Sequence, residues 1–269
     1  MAFHSPQQIA EKAVEAGVKK ANMRPSHTLL LGFLGGAFIS LGFLLYVRVV
    51  AGLPHEWGTL SSLIGGAVFP VGLMLLVIAG GELLTGNMMA LPMAILAKRA
   101  TFKQLGRNWL LVLVSNFIGA IFVAYFFGHV VGMTETGVFL EKTVAVAGAK
   151  IDQAFWPTLV SAVGCNWLVC LAIWLAFGAD DIGGKILAIW FPIMAFVAIG
   201  FQHVVANMFI IPAAIFAGHF TWMDYLGNFV PVAIGNAIGG GVFVALFYWL
   251  VHRDALQSSI KSSKIKKAS

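Results

Sequence analysis

Six long apolar stretches alternate with short polar ones along the chain, at roughly residues 28–50, 63–97, 109–131, 157–178, 186–218 and 229–251. A helix crossing a bilayer core needs about 20 apolar residues. Four of the stretches fit one ordinary span each. The second and fifth are too long for one uniform helix, and polar or small residues interrupt them: AGGELLTGN at 79–87 and IGFQHVVAN at 199–207. The pattern predicts an all-α membrane protein with six transmembrane helices, the second and fifth broken. Ahead of the spans, residues 5–22 are polar with apolar Ile9, Ala13, Val14 and Ala16 near helical spacing. That predicts an amphipathic surface helix rather than an apolar signal core. The chain then divides into an N-terminal helical segment (1–27), a six-span domain (28–252) and a basic tail (253–269).

Composition agrees with the pattern. Of 269 residues, 59% are hydrophobic and 10% charged, and the mean hydropathy is +0.89. Soluble domains carry about 25% charged residues. These values exclude a soluble enzyme, a disordered chain and a nucleic-acid-binding domain. The net charge of +6 matters less than where the charges fall. With a cytoplasmic N-terminus, fourteen of the 17 Lys and Arg residues lie inside; Arg48, Lys142 and Lys150 lie outside. That bias predicts a multi-pass plasma-membrane protein with both termini cytoplasmic. Trp57, Trp109, Trp156, Trp190 and Trp249 fall near span ends, where interfacial anchoring is expected. Cys165 and Cys170 point to different helix faces and are expected to be small core residues, not a disulfide.

The chain also repeats itself. Residues 87–101 (NMMALPMAILAKRAT) match 207–221 (NMFIIPAAIFAGHFT) at seven of fifteen positions, at an offset of 120. The match continues ungapped through Asn108/Asn228, Asn116/Asn236, Ile118/Ile238 and Gly119/Gly239. Each half holds three spans, so the halves enter the membrane from opposite sides, an inverted 3+3 repeat. Such repeats place a substrate site at the midplane on discontinuous helices.

Broken backbone at membrane depth is tolerated where it is buried in protein or lines a cavity. Glu82, Thr85 and Asn87 sit in one predicted break, Gln202, His203 and Asn207 in the other. Glu82 is the one carboxylate placed at membrane depth. It either accepts backbone N–H groups at the break or lines the path, and the first is favoured. Asn87, Asn116, Asn207 and Asn236 are expected to satisfy broken backbone or to pair across the repeat. Gly235 and Gly239 allow close helix packing. His203 is an intramembrane ionisable group: either a functional group that meets an anion or hands over a proton, or a neutral core histidine. Phe69, Leu73 and Phe196 are either packing residues or a dry constriction. Lys150 is either a solvated lysine or an attractor of anions at a pore mouth.

Taken together, FPVGLMLLVIAGGELLTGN (69–87), RNWL (107–110), CNWLVCLAIW (165–174), FPIMAFVAIGFQHVVANMF (191–209) and PVAIGNAIGGG (231–241) closely resemble the formate/nitrite transporter family, over about residues 25–253. The resemblance implies a homopentamer of aquaporin-like protomers, each with its own pore for small monovalent anions such as formate, nitrite or hydrosulfide, often coupled to protons. It places the central histidine on His203 and the facing loop threonine on Thr85. The outer constriction falls on Phe69, Leu73 and Phe196, and the inner one on Leu83, Leu84 and Val169. The vestibule lysine falls on Lys150 and the pore asparagine of the fourth span on Asn166. Many members carry Glu before the central histidine; this chain has Gln202, in a polar network expected to include Lys150, Asn207 and Asn236.

The resulting expectation is a pH-dependent channel or transporter for weak-acid anions, formate first and nitrite second, with proton co-transport. It needs no cofactor or metal. A neutral-solute pore lacks the doubled Asn-Pro-Ala signature, and an intramembrane enzyme lacks a nucleophile or metal cluster beside His203.

Overall fold

The computed structural model describes residues 3–268, with side chains through Gln257. Met1, Ala2 and Ser269 lie outside it, as do the side chains of the tail lysines Lys261, Lys264, Lys266 and Lys267. Among the described residues, twelve α-helical segments follow in chain order. Helix α1 (Pro6–Ala21) opens on a capping box: Ser5 Oγ accepts from Gln8 N, and the Gln8 side chain returns to the Ser5 N–H. Its buried face is Ile9, Ala10, Ala13, Val14, Gly17 and Ala21. This helix is thus less of a surface helix than its sequence suggested; it packs into the protein.

Helix α2 is Pro25–Val50. The second apolar stretch becomes α3 (Thr59–Val68), the short α4 (Val71–Met74), a π-helical turn (Leu75–Gly80) and, after the break, α5 (Leu84–Leu96). Helix α6 (Phe102–Phe122) continues as a π-helical segment to Val130. Helix α7 (Val138–Ile151) precedes the long α8 (Phe155–Gly178). The fifth stretch divides into α9 (Ile182–Ile199) and α10 (Val204–Phe216). Helix α11 (Trp222–Ile238) runs through a π-helical segment (Gly239–Leu246) into α12 (Phe247–Ala268).

Among the described residues, six continuous helical runs are long and apolar enough to cross a membrane, and α5 and α10 are shorter apolar helices. The breaks fall where the pattern placed them but are narrower, spanning 81–83 and 200–203. Thr85, Asn87 and Asn207 therefore belong to the first turns of α5 and α10, not to open loops. Gly200 ends α9 with a φ of +87°, a left-handed backbone that glycine adopts without a Cβ penalty. Close packing at Gly235 and Gly239 is observed: a Cβ there would stand 2.3 Å from Leu159 O and 2.4 Å from Val163 O. Trp109 and Trp190 do more than anchor. Their indole N–H groups reach inward to Asn87 O (3.3 Å) and Ala67 O (2.8 Å). Cys165 and Cys170 are buried free thiols.

Candidate functional site

Both breaks leave backbone groups without helical partners, and one asparagine serves each. Asn116 Oδ1 accepts from Leu84 N at 2.9 Å, while its Nδ2 donates to Glu82 O (2.8 Å) and Gly32 O (2.7 Å). Asn236 does the same in the other half: Oδ1 accepts from Val204 N (2.9 Å), and Nδ2 donates to Gln202 O (3.0 Å) and Ala162 O (2.8 Å). Satisfaction of the broken backbone is as expected. Pairing across the repeat is not: each asparagine works within its own half.

A second pair of asparagines anchors the residue two positions before each helix. Asn87 Nδ2 donates to Glu82 Oε2 and to Asn108 Oδ1, both at 2.8 Å. Asn207 Nδ2 donates to Gln202 Oε1 and to Asn228 Oδ1, both at 2.8 Å. The Glu82 carboxylate thus takes side-chain donors rather than backbone N–H groups. Its other oxygen accepts from Lys20 Nζ of α1 at 2.7 Å. In the other half Lys150 of α7 takes the corresponding place. With an amide at 202 in place of a carboxylate, the Lys150 ammonium donates to Gly200 O (3.1 Å) and Phe201 O (2.8 Å). Gln202 Nε2 instead meets Lys150 O and Gln153 Oε1, each at 3.2 Å. Hydrogen bonds thus connect Lys150, Gln202, Asn207 and Asn236, and the Lys150 ammonium is held by two backbone carbonyls.

These bonds extend the repeat beyond the spans. Helices α1 and α7 are equivalent: each carries its lysine in the last turn, and each buries residues three and seven positions earlier, Gly17 and Ala13 against Ala147 and Thr143. Asn108 Nδ2 donates to Lys20 O (3.3 Å) and Asn228 Nδ2 to Lys150 O (2.7 Å). The two lysines stand 130 residues apart with little sequence likeness around them. The roles of Lys20 and of α7 were therefore invisible in the sequence. Asn108 and Asn228 were visible there only as a repeat match.

Each covering helix walls a cavity. The first, about 470 Å³, is lined by α7 residues including Lys142 and Lys150, by Phe43, Phe69 and Phe196, and by His203 and Asn207. The second, about 320 Å³, is lined by α1 residues including Lys19 and Lys20, by Glu82, Leu83 and Asn87, and by Leu76. Lys150 keeps some contact with the first cavity, but protein crowds it elsewhere. That desolvation pulls its pKa down to about 8, against a smaller opposing effect of Cys165.

His203 belongs to the wall of the first cavity, and its Nε2 lies 3.0 Å from Thr85 Oγ1. His203 is the N-cap of α10, and its Nδ1 accepts from Ala206 N at 3.0 Å. A backbone N–H can only donate, so Nδ1 is the unprotonated nitrogen. The ring is neutral, and the Nε2 proton is directed at Thr85. Phe69 and Phe196 meet edge to face at 5.6 Å, Phe43 closes on Phe69 at 5.5 Å, and Phe196 stacks on the His203 ring at 5.7 Å. Phe43 carried no signal in the sequence. Leu73, Leu84 and Val169 are buried in the core and Leu83 reaches the second cavity. Asn166 Nδ2 braces Thr85 O (3.2 Å) and Asn236 O (2.7 Å), so it joins the two halves. Among the described residues, no cluster of His, Cys, Asp or Glu could hold a metal.

Residues 7–250 match the family model described as formate/nitrite transporter. The chain belongs to the formate/nitrite transporter family. It is a multi-pass membrane protein of a transporter family, not an enzyme. It is 64% identical over 252 residues to an uncharacterized transporter of Bacillus subtilis, YrhG, covering 94% of this chain and 95% of that one. It is 61% identical over 253 residues to the formate channel BtFdhC of Bacillus thuringiensis, covering 94% and 97%. Two solved structures share the formate/nitrite transporter fold, both at 30% identity. One, described as an FNT family ion channel, has a TM-score of 0.84 and covers 90% of this chain and 98% of its own. The other, described as a pentameric formate channel with formate bound, has a TM-score of 0.73 and covers 87% and 98%.

Proposed function

We propose that this chain forms a pH-dependent pathway for the small monovalent anions of weak acids, formate first and nitrite second, with a proton accompanying each anion. The reading is supported most by one observation: the neutral imidazole of His203, on the wall of the first cavity, stands 3.0 Å from the hydroxyl of Thr85, whose chain neighbours Leu83, Gly86 and Asn87 wall the second, and both walls are largely apolar. On this reading α7 and Lys150 face the outside, and both termini and α1 face the cytoplasm of a plasma-membrane protein. Lys150 draws the anion into the first cavity. Phe69, Leu73 and Phe196 form the outer constriction, and Leu83, Leu84 and Val169 the inner one.

A bare anion held among these side chains costs several kcal/mol or more. Protonation by solvent in the vestibule converts formate to formic acid and removes that cost, because an apolar setting favours the neutral form. The neutral acid then passes His203 and Thr85, which offer hydrogen bonds but no net charge. It releases its proton on the far side. Similarity to a formate channel and to a pentameric formate channel also favours a homopentamer with one pathway per protomer.

The test is formate uptake into proteoliposomes at about pH 5.5 and about pH 7.5, with osmotic swelling in glycerol as the comparison. Formate flux that rises as pH falls, without glycerol swelling, is expected. Glycerol passage without formate flux would make the chain a neutral-solute pore instead.

A further inference from the structure

Asn87 Oδ1 and Asn207 Oδ1 are buried amide oxygens with no hydrogen-bond partner, and they occupy equivalent places in the two halves. Asn87 is fully buried and Asn207 is 2% exposed; each residue belongs to the wall of its cavity, and its Oδ1 is shielded from bulk solvent, so a donor reaches it from the cavity side as the wall adjusts. Their orientation is fixed by acceptors that have no alternative role. Lys20 O and Lys150 O are backbone carbonyls, so the amide nitrogens of Asn108 and Asn228 must face them. That turns Asn108 Oδ1 and Asn228 Oδ1 toward Asn87 and Asn207, which must answer with nitrogen. The Glu82 carboxylate and Gln202 Oε1 demand the same. Both Oδ1 atoms are therefore acceptors that the rest of the network leaves unpaired. A buried acceptor without a donor is costly, and duplicated exceptions of this kind call for a donor from outside the protein.

We propose that Asn87 Oδ1 and Asn207 Oδ1 are acceptor subsites for the hydroxyl of the protonated, neutral permeant acid, one on each side of the His203–Thr85 pair. This rests on the transport reading above and adds which form of the permeant each cavity holds. A carboxylate or nitrite anion presents only acceptor oxygens, which an amide oxygen repels; the protonated acid presents one O–H. Cationic donors are disfavoured by Lys142 and Lys150 in the first cavity and, in the second, by Lys19 and Lys20, which outnumber the Glu82 carboxylate. The occupant is a small neutral donor, and water holds the place between passages. The lysine of each cavity and its asparagine then divide the work: the ammonium gathers the anion, and the amide oxygen receives it once protonated.

The experiment is formate uptake by the full chain in proteoliposomes at about pH 6, competed by formamide or by methyl formate. Formamide is a neutral formate isostere with N–H donors, whereas methyl formate has the same carbonyl and no donor. Formamide is expected to inhibit, and methyl formate at the same concentration is not. Asn207→Leu and Asn87→Leu are each expected to weaken formamide inhibition about tenfold. Inhibition by nitrate, which takes up no proton in this range and is drawn to Lys150, should change less than about threefold. Equal inhibition by the two neutral compounds, or unchanged formamide inhibition in both variants, overturns the subsites. The wild-type competition decides the matter even where a Leu variant does not fold. A wild type with no pH-dependent formate flux defeats the transport reading itself; pH-dependent flux without donor discrimination defeats only the subsites.

Discussion

The backbone N–H of Ala206 points at Nδ1 of His203 from 3.0 Å, and this contact governs what the imidazole can do. A proton on Nδ1 would face another donor and uncap α10, so this geometry disfavours the imidazolium. The sequence offered a choice between a charged or proton-passing histidine and a neutral one, and the local geometry favours the neutral ring. Nitrogen NMR of the labelled protein should show the Nε2–H tautomer from about pH 5 to pH 8; a ring protonated at both nitrogens by about pH 6 would contradict it.

The same contact separates two substitutions. Asparagine is a good N-cap, so His203→Asn keeps an acceptor for Ala206 N and should leave the fold intact. His203→Phe removes the cap and should cost about 1 kcal/mol of stability. It also removes the hydrogen bond to Thr85, so formate flux should fall at least about tenfold. Thermal unfolding in detergent and proteoliposome uptake read the two effects; unchanged flux and pH dependence in His203→Phe would remove His203 from the pathway.

Lys150 titrates within reach of ordinary buffers. Burial lowers its pKa to about 8, so its charge is present below that pH and lost above it. Lys142 and His203 share its cavity, and Cys165 lies near. The KM for formate should therefore rise between about pH 7 and pH 9 in the wild type. Lys150→Arg keeps its charge throughout and should flatten that rise. A KM that rises equally in both would show that Lys150 does not gather the anion.

Gln202 and Glu82 hold equivalent places with different charge, which invites an exchange. Gln202→Glu gives Lys150 a carboxylate partner like the one Lys20 already has. The variant should fold, and it should weaken formate binding several-fold by cancelling the ammonium's attraction. Glu82→Gln instead leaves Lys20 facing an amide. Lys20 is 20% exposed and can turn outward, so the loss should stay near 1–3 kcal/mol. Denaturation midpoints and formate KM values check both.

Asn116 and Asn236 each tie two backbone groups at a break, Leu84 N with Glu82 O and Val204 N with Gln202 O. Alanine at either position leaves those groups unpaired at membrane depth, and about 2–4 kcal/mol of stability should be lost. Asn236→Asp keeps the acceptor for Val204 N and loses both donors, so it should fall between wild type and alanine. Melting temperatures in detergent would measure the series; equal stability of all three proteins would mean that water serves the break.

Much of this molecule was legible from the chain. Long apolar stretches admit only helices in a bilayer, because every backbone polar group must be satisfied within the segment. The doubled Asn and Pro residues pointed to two related halves, and polar residues inside the overlong second and fifth stretches marked the breaks. His203, Thr85, Asn116 and Asn236 stood out for the same reason: polar side chains are scarce at that depth, so each one is conspicuous. What the sequence determined is thus the set of elements and the polar residues that must be accounted for. The tertiary structure alone decided the partners. It showed that α1 and α7 are equivalent covers, that Lys20 reaches Glu82 across 62 positions, and that Phe43 joins Phe69 and Phe196. It also turned His203 into a neutral cap. Hydrophobic periodicity reports which face of a helix is buried, but hydrogen bonds depend on ångström distances between residues far apart in the chain. Those distances exist only once the two halves have closed on each other.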